Sequence, residues 1–101
     1  MTTNYARGRA AEYRAKKMLE RQGWLVIRSA GSRSPVDLIA LQPLKRDYRA
    51  WAALADVLLV QVKRNAHLTR AERTNLKMLK RYGNVQCWRF VGPGKPLVEV
   101  L

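Results

Sequence analysis

Only seven of the 101 residues are acidic, against twenty lysines and arginines, so each carboxylate asks for a reason. Glu20, Asp47 and Glu99 read as solvated surface charges. Glu72 stands three residues after Thr69, the spacing of a capping box, and Asp56 opens an apolar run where a nearby arginine would pair with it. Glu12 and Asp37 are different. On a helical wheel Glu12 falls at the edge of an apolar stripe, beside Gly8 and Leu19, where a carboxylate is partly desolvated. Asp37 enters an apolar stretch in phase with Ile39 and Leu41. Pairing of Glu12 with Lys16 one turn on, and capping of a turn by Asp37, would account for the two residues equally well.

Gln61 and Lys63 shift that balance. Period-two alternation puts both on one face of a strand, at the end where a central strand meets a cleft. Phosphodiester hydrolysis uses a divalent metal to neutralise the phosphate and activate water, carboxylates to hold that metal, and an ammonium to orient the nucleophile or stabilise transition-state charge. Glu12, Asp37, Gln61 and Lys63 are the residue types of such a site, with Mg2+ or Mn2+ as the fitting cation. The lone Cys87 excludes an internal disulfide, and with only His67 beside it leaves too few soft ligands for zinc.

The elements that must position these groups follow from pattern. Residues 4–22 carry Ala11, Ala15, Met18 and Leu19 at helical spacing, stopped by Gly23 and closed by Lys16, Lys17 and Arg21 at the negative end of the dipole. Residues 24–29 are rich in β-branched and aromatic side chains, residues 30–35 are turn formers, and residues 36–41 resume as a strand, together a hairpin. Residues 42–54, with Pro43 and no strand period, predict a loop or an extended hairpin tip. The nearly continuous apolar interior of residues 56–64 predicts a central strand covered on both faces. A capping box at Thr69–Glu72 starts a second amphipathic helix ending before Gly83, and residues 85–91 and 97–101 finish as strands. The order α-β-β-β-α-β-β over residues 1–101 predicts a single α/β domain, a mixed central sheet flanked by helices.

A net charge of +13 points to a polyanionic partner, and 48% hydrophobic content suffices for one modest core. Arg7, Arg9, Arg14, Arg33, Lys45, Arg46, Arg49 and Arg64 could form a phosphate-tracking surface, with Tyr48 and Trp51 stacking on a base or anchoring their loop. Trp24 and Trp88 are expected in the core. The apolar blocks fall well below the roughly 20 residues a bilayer requires, and no charged-then-apolar leader opens the chain. A soluble, intracellular (cytoplasmic) protein without membrane partners is expected.

Four blocks in order carry a family resemblance: Gly8-Arg9-Ala10-Ala11-Glu12, the run Gly23 to Ser32 with Arg-Ser-Ala-Gly-Ser, Val36-Asp37-Leu38-Ile39-Ala40, and Val60-Gln61-Val62-Lys63. Over about residues 5–64 they resemble the archaeal-type Holliday junction resolvases of the PD-(D/E)XK nuclease superfamily. The resemblance implies a restriction-endonuclease-like fold and a magnesium- or manganese-dependent, structure-selective endodeoxyribonuclease. Such an enzyme resolves four-way DNA junctions by paired cuts, and a homodimer carries two sites for the two scissile strands. It places metal binding on Glu12, Asp37 and the position of Gln61, catalytic assistance on Lys63, the catalytic-loop serine on Ser32 and a phosphate contact on Arg28. Arg9, Arg33 and Arg64 join Arg28 as expected DNA contacts. Two departures stand out. The family has glutamate where Gln61 stands, which removes one negative charge from the metal site, and often a basic residue where Tyr13 stands. The alternative to a nuclease is therefore a basic nucleic-acid-binding module that no longer cuts.

Overall fold

Ala11, Ala15 and Leu19 recur at the spacing of one helix face, and in the computed structural model, which describes residues 4–29, 34–43 and 55–101, they are buried under helix α1, Asn4–Arg21. The helix stops where expected. Gly23 adopts φ +93°, and the N–H groups of Gln22, Gly23 and Trp24 close onto the carbonyls of Leu19 and Glu20 at 3.0–3.1 Å.

The strands are β1, Leu25–Arg28; β2, Leu38–Pro43; β3, Ala55–Arg64; β4, Asn84–Phe90; and β5, Leu97–Val100. Helix α2, Arg70–Met78, runs into a 3-10 turn at Leu79–Arg81. The sheet order is β1-β2-β3-β4-β5, with β3 and β4 parallel and all other neighbours antiparallel. A parallel pair needs a crossover, and α2 provides it. The α/β class, the mixed sheet and the element order match the sequence reading.

The two helices cover opposite faces of the central strand. Leu58 and Val60 of β3 pack with α1, Leu38, Ala40 and Trp88, whereas Leu59 packs with Val36, Leu76 and Val85 under α2. This explains the near-continuous apolar run of β3. The small side chains of Ala11 and Ala15 let α1 lie close to the sheet. Gly83, entering β4, has an equally steric reason: a Cβ there would meet the Val57 carbonyl oxygen at 2.6 Å.

Several boundaries differ from the expected ones. Gln42 and Pro43 belong to β2 rather than to the loop, pairing with Asp56 and Ala55 at the strand's last two positions. Residues 44–54, including the basic and aromatic loop residues, lie outside the described residues. Trp24 precedes β1 and is only half-buried against the core, while Trp88 is fully buried as expected. The second helix tightens to 3-10 geometry in its last turn instead of remaining α-helical to Tyr82. No helix among the described residues is long and apolar enough to cross a membrane.

Candidate active site

The antiparallel ladder of β2 and β3 ends at Leu38 opposite Val60, and β3 continues beyond it. Asp37 sits at that step. Its N–H donates to the Val60 carbonyl at 3.1 Å, and its Oδ2 accepts the Val62 N–H at 2.8 Å. The carboxylate thus takes the place of a strand carbonyl and satisfies a donor the shorter strand leaves over. Its backbone carbonyl accepts the Ser29 N–H at 2.8 Å, which ties the site to the end of β1.

Alternation along β3 settles the neighbours. Gln61 and Lys63, in phase with Leu59, face the α2 side. Gln61 lines a cleft of about 380 Å³ with Ser34, Pro35, Glu72, Asn75 and Leu76. Lys63 Nζ forms a salt bridge with Glu72 Oε2. Glu72 Oε1 accepts the Thr69 N–H at 2.9 Å, and Thr69 Oγ1 accepts the Glu72 N–H at 3.1 Å, a complete capping box. On the α1 side Glu12 Oε1 lies 3.3 Å from Arg28 Nε. That Nε is buried and too poorly aligned for a hydrogen bond of its own. The Arg28 guanidinium also stacks 4.9 Å from the Tyr13 ring centre. Tyr13, standing where a basic residue is common in the resembled family, gives that arginine a platform.

The electrostatics are those of carboxylates pulled out of water. Burial pushes the Glu12 carboxyl above its ordinary range, the Asp37 charge adds to the rise, and Arg28 opposes it. Burial also pushes Asp37 up, against the pull of the Val62 N–H, Lys63 and Arg28, while the Glu72 charge adds to the rise. Glu72 moves the other way. The Lys63 ammonium, then the Thr69 N–H, hold its carboxyl below the usual glutamate range.

Two alternatives the sequence left open are decided here. Glu12 pairs with Arg28, not Lys16, which instead reaches Glu20 at 3.0 Å. Asp37 accepts from β3 rather than capping a turn. Glu99 is exposed, the surface charge expected, and Arg73 of α2 pairs with it. Glu72 was legible only as a cap; its contact with Lys63 has a faint sequence signal in the short 65–69 connection, which returns the chain to the strand end it has just left.

Of the expected DNA contacts, Arg9 lies exposed on α1 and Arg64 exposed at the end of β3. Arg64 lines a wider cleft with Arg7 and Arg14, and Arg14 donates to the Gly94 carbonyl at 2.8 Å and covers the Phe90 ring at 4.5 Å. Ser32 and Arg33 lie outside the described residues. Among the described residues no three histidine, cysteine, aspartate or glutamate side chains come together as a ligand group. The acids that act on Asp37 or feel it are nevertheless oxygen donors, Glu12 from the α1 side and Glu72 from the α2 side, and the Gln61 amide shares the Glu72 cleft. By donor chemistry this set fits a hard divalent cation, though it is poorer in close carboxylates than a three-acid site.

No family model and no curated protein sequence matches the chain. Among solved structures it is similar to Hjc of Archaeoglobus fulgidus, a Holliday junction resolvase from an archaeal hyperthermophile, with a TM-score of 0.68. The likeness covers 93% of this chain and 72% of that one at 18% identity. It shows that the two share a fold, the restriction-endonuclease-like arrangement of a mixed sheet between helices.

Proposed function

We propose that this chain is a metal-dependent, structure-selective DNA endonuclease that resolves four-way junctions by paired phosphodiester cuts. The observation that carries the reading is the meeting of Asp37 and Lys63 at one strand end, with the carboxylate fixed by the Val62 N–H and the lysine charge acting on it. Mg2+ or Mn2+, held by Asp37 with Glu12 and Gln61, would supply phosphate neutralisation and an activated water. Lys63 offers an ammonium to charge developing on the phosphate. Arg28, paired through Nε with Glu12, would reach a phosphate oxygen through its terminal guanidinium N–H groups. Arg9, Arg33 and Arg64, within a net charge of +13, supply sequence-independent backbone contacts. Ser32 belongs to the same proposed site through its place in the sequence five residues before Asp37.

Two scissile strands related by two-fold symmetry call for two sites, so the active species in this reading is a homodimer. Exposed Met78, Tyr82, Leu97, Val98 and Val100, on α2, in the turn that leads into β4 and on β5, are the apolar residues offered for the interface.

One observation favours the non-catalytic binder: Gln61 replaces an acid, and no three-acid group forms among the described residues. The two readings separate on a synthetic four-way junction compared with linear duplex of the same sequence, each with Mg2+ or Mn2+. The nuclease nicks the junction and spares the duplex. Tight junction binding by folded protein without a nick in either metal would leave the binder.

A further inference from the structure

The candidate site lacks an acid at position 61, yet a carboxylate from another element reaches the same cleft. We propose that Glu72, in the first turn of α2, supplies the metal-binding carboxylate that Gln61 does not. This rests on the nuclease reading above, and it concerns a residue whose spacing explains it only as a helix cap.

Three observations converge. Gln61 and Glu72 line one cleft of about 380 Å³, together with the amide of Asn75 one turn further along α2. A carboxylate there projects toward the strand face on which a glutamate at 61 would stand. Glu72 is also pre-positioned: Oε1 is held by the Thr69 N–H at 2.9 Å and Oε2 by Lys63. Such a ligand loses little side-chain entropy on engaging a cation. Lastly, one cation already acts on both acids. The Lys63 ammonium pairs with Glu72 and its charge also acts on Asp37, while Glu72 and Asp37 repel each other. Two carboxylates from separate elements thus share one positive charge, the arrangement expected of a divalent-cation site whose charge is balanced by a lysine when metal is absent.

The arrangement also suggests a switch for Lys63. Without metal it neutralises Glu72; a divalent cation competing for that carboxylate would release the ammonium toward the phosphate. A cap alone would not require the charge, since a glutamine at position 72 keeps an oxygen able to accept the Thr69 N–H.

The test is Mn2+ binding to the DNA-free protein, followed by the electron paramagnetic resonance signal of free Mn2+, with thermal unfolding in EDTA as the check on folding. Glu72→Gln should weaken Mn2+ binding by about tenfold, whereas the surface control Glu20→Gln should not. Gln61→Glu should tighten it. The double variant Gln61→Glu/Glu72→Gln, which moves the acid from helix to strand, should return to near wild-type affinity. Folded Glu72→Gln protein with wild-type Mn2+ affinity, or a double variant no tighter than Glu72→Gln, would overturn the proposal and leave Glu72 as a cap and tether. Asp37→Asn separates this failure from that of the nuclease reading. Loss of Mn2+ binding in Asp37→Asn keeps the metal site at Asp37 even if Glu72 proves irrelevant; wild-type binding in that variant would remove both.

Discussion

Asp37→Asn should stabilise the metal-free fold while abolishing cleavage. Asparagine keeps an oxygen for the Val62 N–H, now accepted by the carboxylate at 2.8 Å, so the strand step stays satisfied. Exchanging a charge-assisted bond for a neutral one forfeits about 1 kcal/mol. Against that stands the burial of the carboxylate, the largest influence on Asp37, reinforced by the Glu72 charge; Glu12 is a second acid close enough to feel it. The Asp37 carboxyl lies above its ordinary 3.8 even with Val62, Lys63 and Arg28 pulling it down, so its surroundings as a whole disfavour the charge. Removing the charge at neutral pH should therefore gain about 0.5–1.5 kcal/mol, the range typical of relieving a functional site. That corresponds to a rise in Tm of about 2–12 °C. A carboxyl raised in the folded state weakens folding at neutral pH, and that penalty disappears as pH falls through its folded pKa toward 3.8. The advantage of the variant should accordingly be largest near pH 7.5 and vanish near pH 4. Urea unfolding followed by tryptophan fluorescence in EDTA, at several pH values across that window, measures it. A variant less stable than wild type by about 1 kcal/mol at neutral pH, or a gain that does not change with pH, would refute the reasoning. Junction affinity should hold or tighten by roughly threefold, since one repulsive charge about 6 Å from a phosphate amounts to about 0.7 kcal/mol in water.

The remaining predictions bear on the site and its frame. Gln61→Glu should lower the metal concentration for half-maximal cleavage; an unchanged metal titration would mean that residue 61 does not face the cation. Lys63→Ala should stop nicking in a gel assay while circular dichroism shows an intact fold. Gly83→Ala should cost about 1–3 kcal/mol in denaturant unfolding, because the new methyl meets the Val57 backbone oxygen at 2.6 Å, an atom that cannot swing aside. Leu38→Ala should cost about 2–5 kcal/mol, as Leu38 is fully buried beside Ala40 and Val60 under α1.

Much of this frame was legible in the sequence because it is local. Alanine and leucine spacing gave α1, Gly23 its end, the Thr69 and Glu72 spacing gave the start of α2, and the apolar run from Val57 to Val60 marked the central strand. Alternation also put Gln61 and Lys63 on a common face, as the shared α2 side of β3 confirms. What stayed hidden depends on how elements meet. The Arg28 and Glu12 pair needs α1 laid across β1, and the Lys63 and Glu72 pair needs the crossover helix to start directly over the strand it leaves. No spacing rule encodes the first contact, and only the short 65–69 connection hints at the second. Pro43 illustrates the opposite error: proline argues against a strand, but as the last residue of β2 it costs the ladder little.

The most direct test of the account is a single-turnover assay on a four-way junction labelled on each strand in turn, with wild-type and Asp37→Asn protein in Mg2+ and in Mn2+. Wild type should place symmetric nicks in two opposed strands in at least one metal and none in EDTA, and Asp37→Asn should place none although it binds the junction. Wild-type protein that binds without nicking, or Asp37→Asn that nicks as fast as wild type, would contradict the nuclease reading.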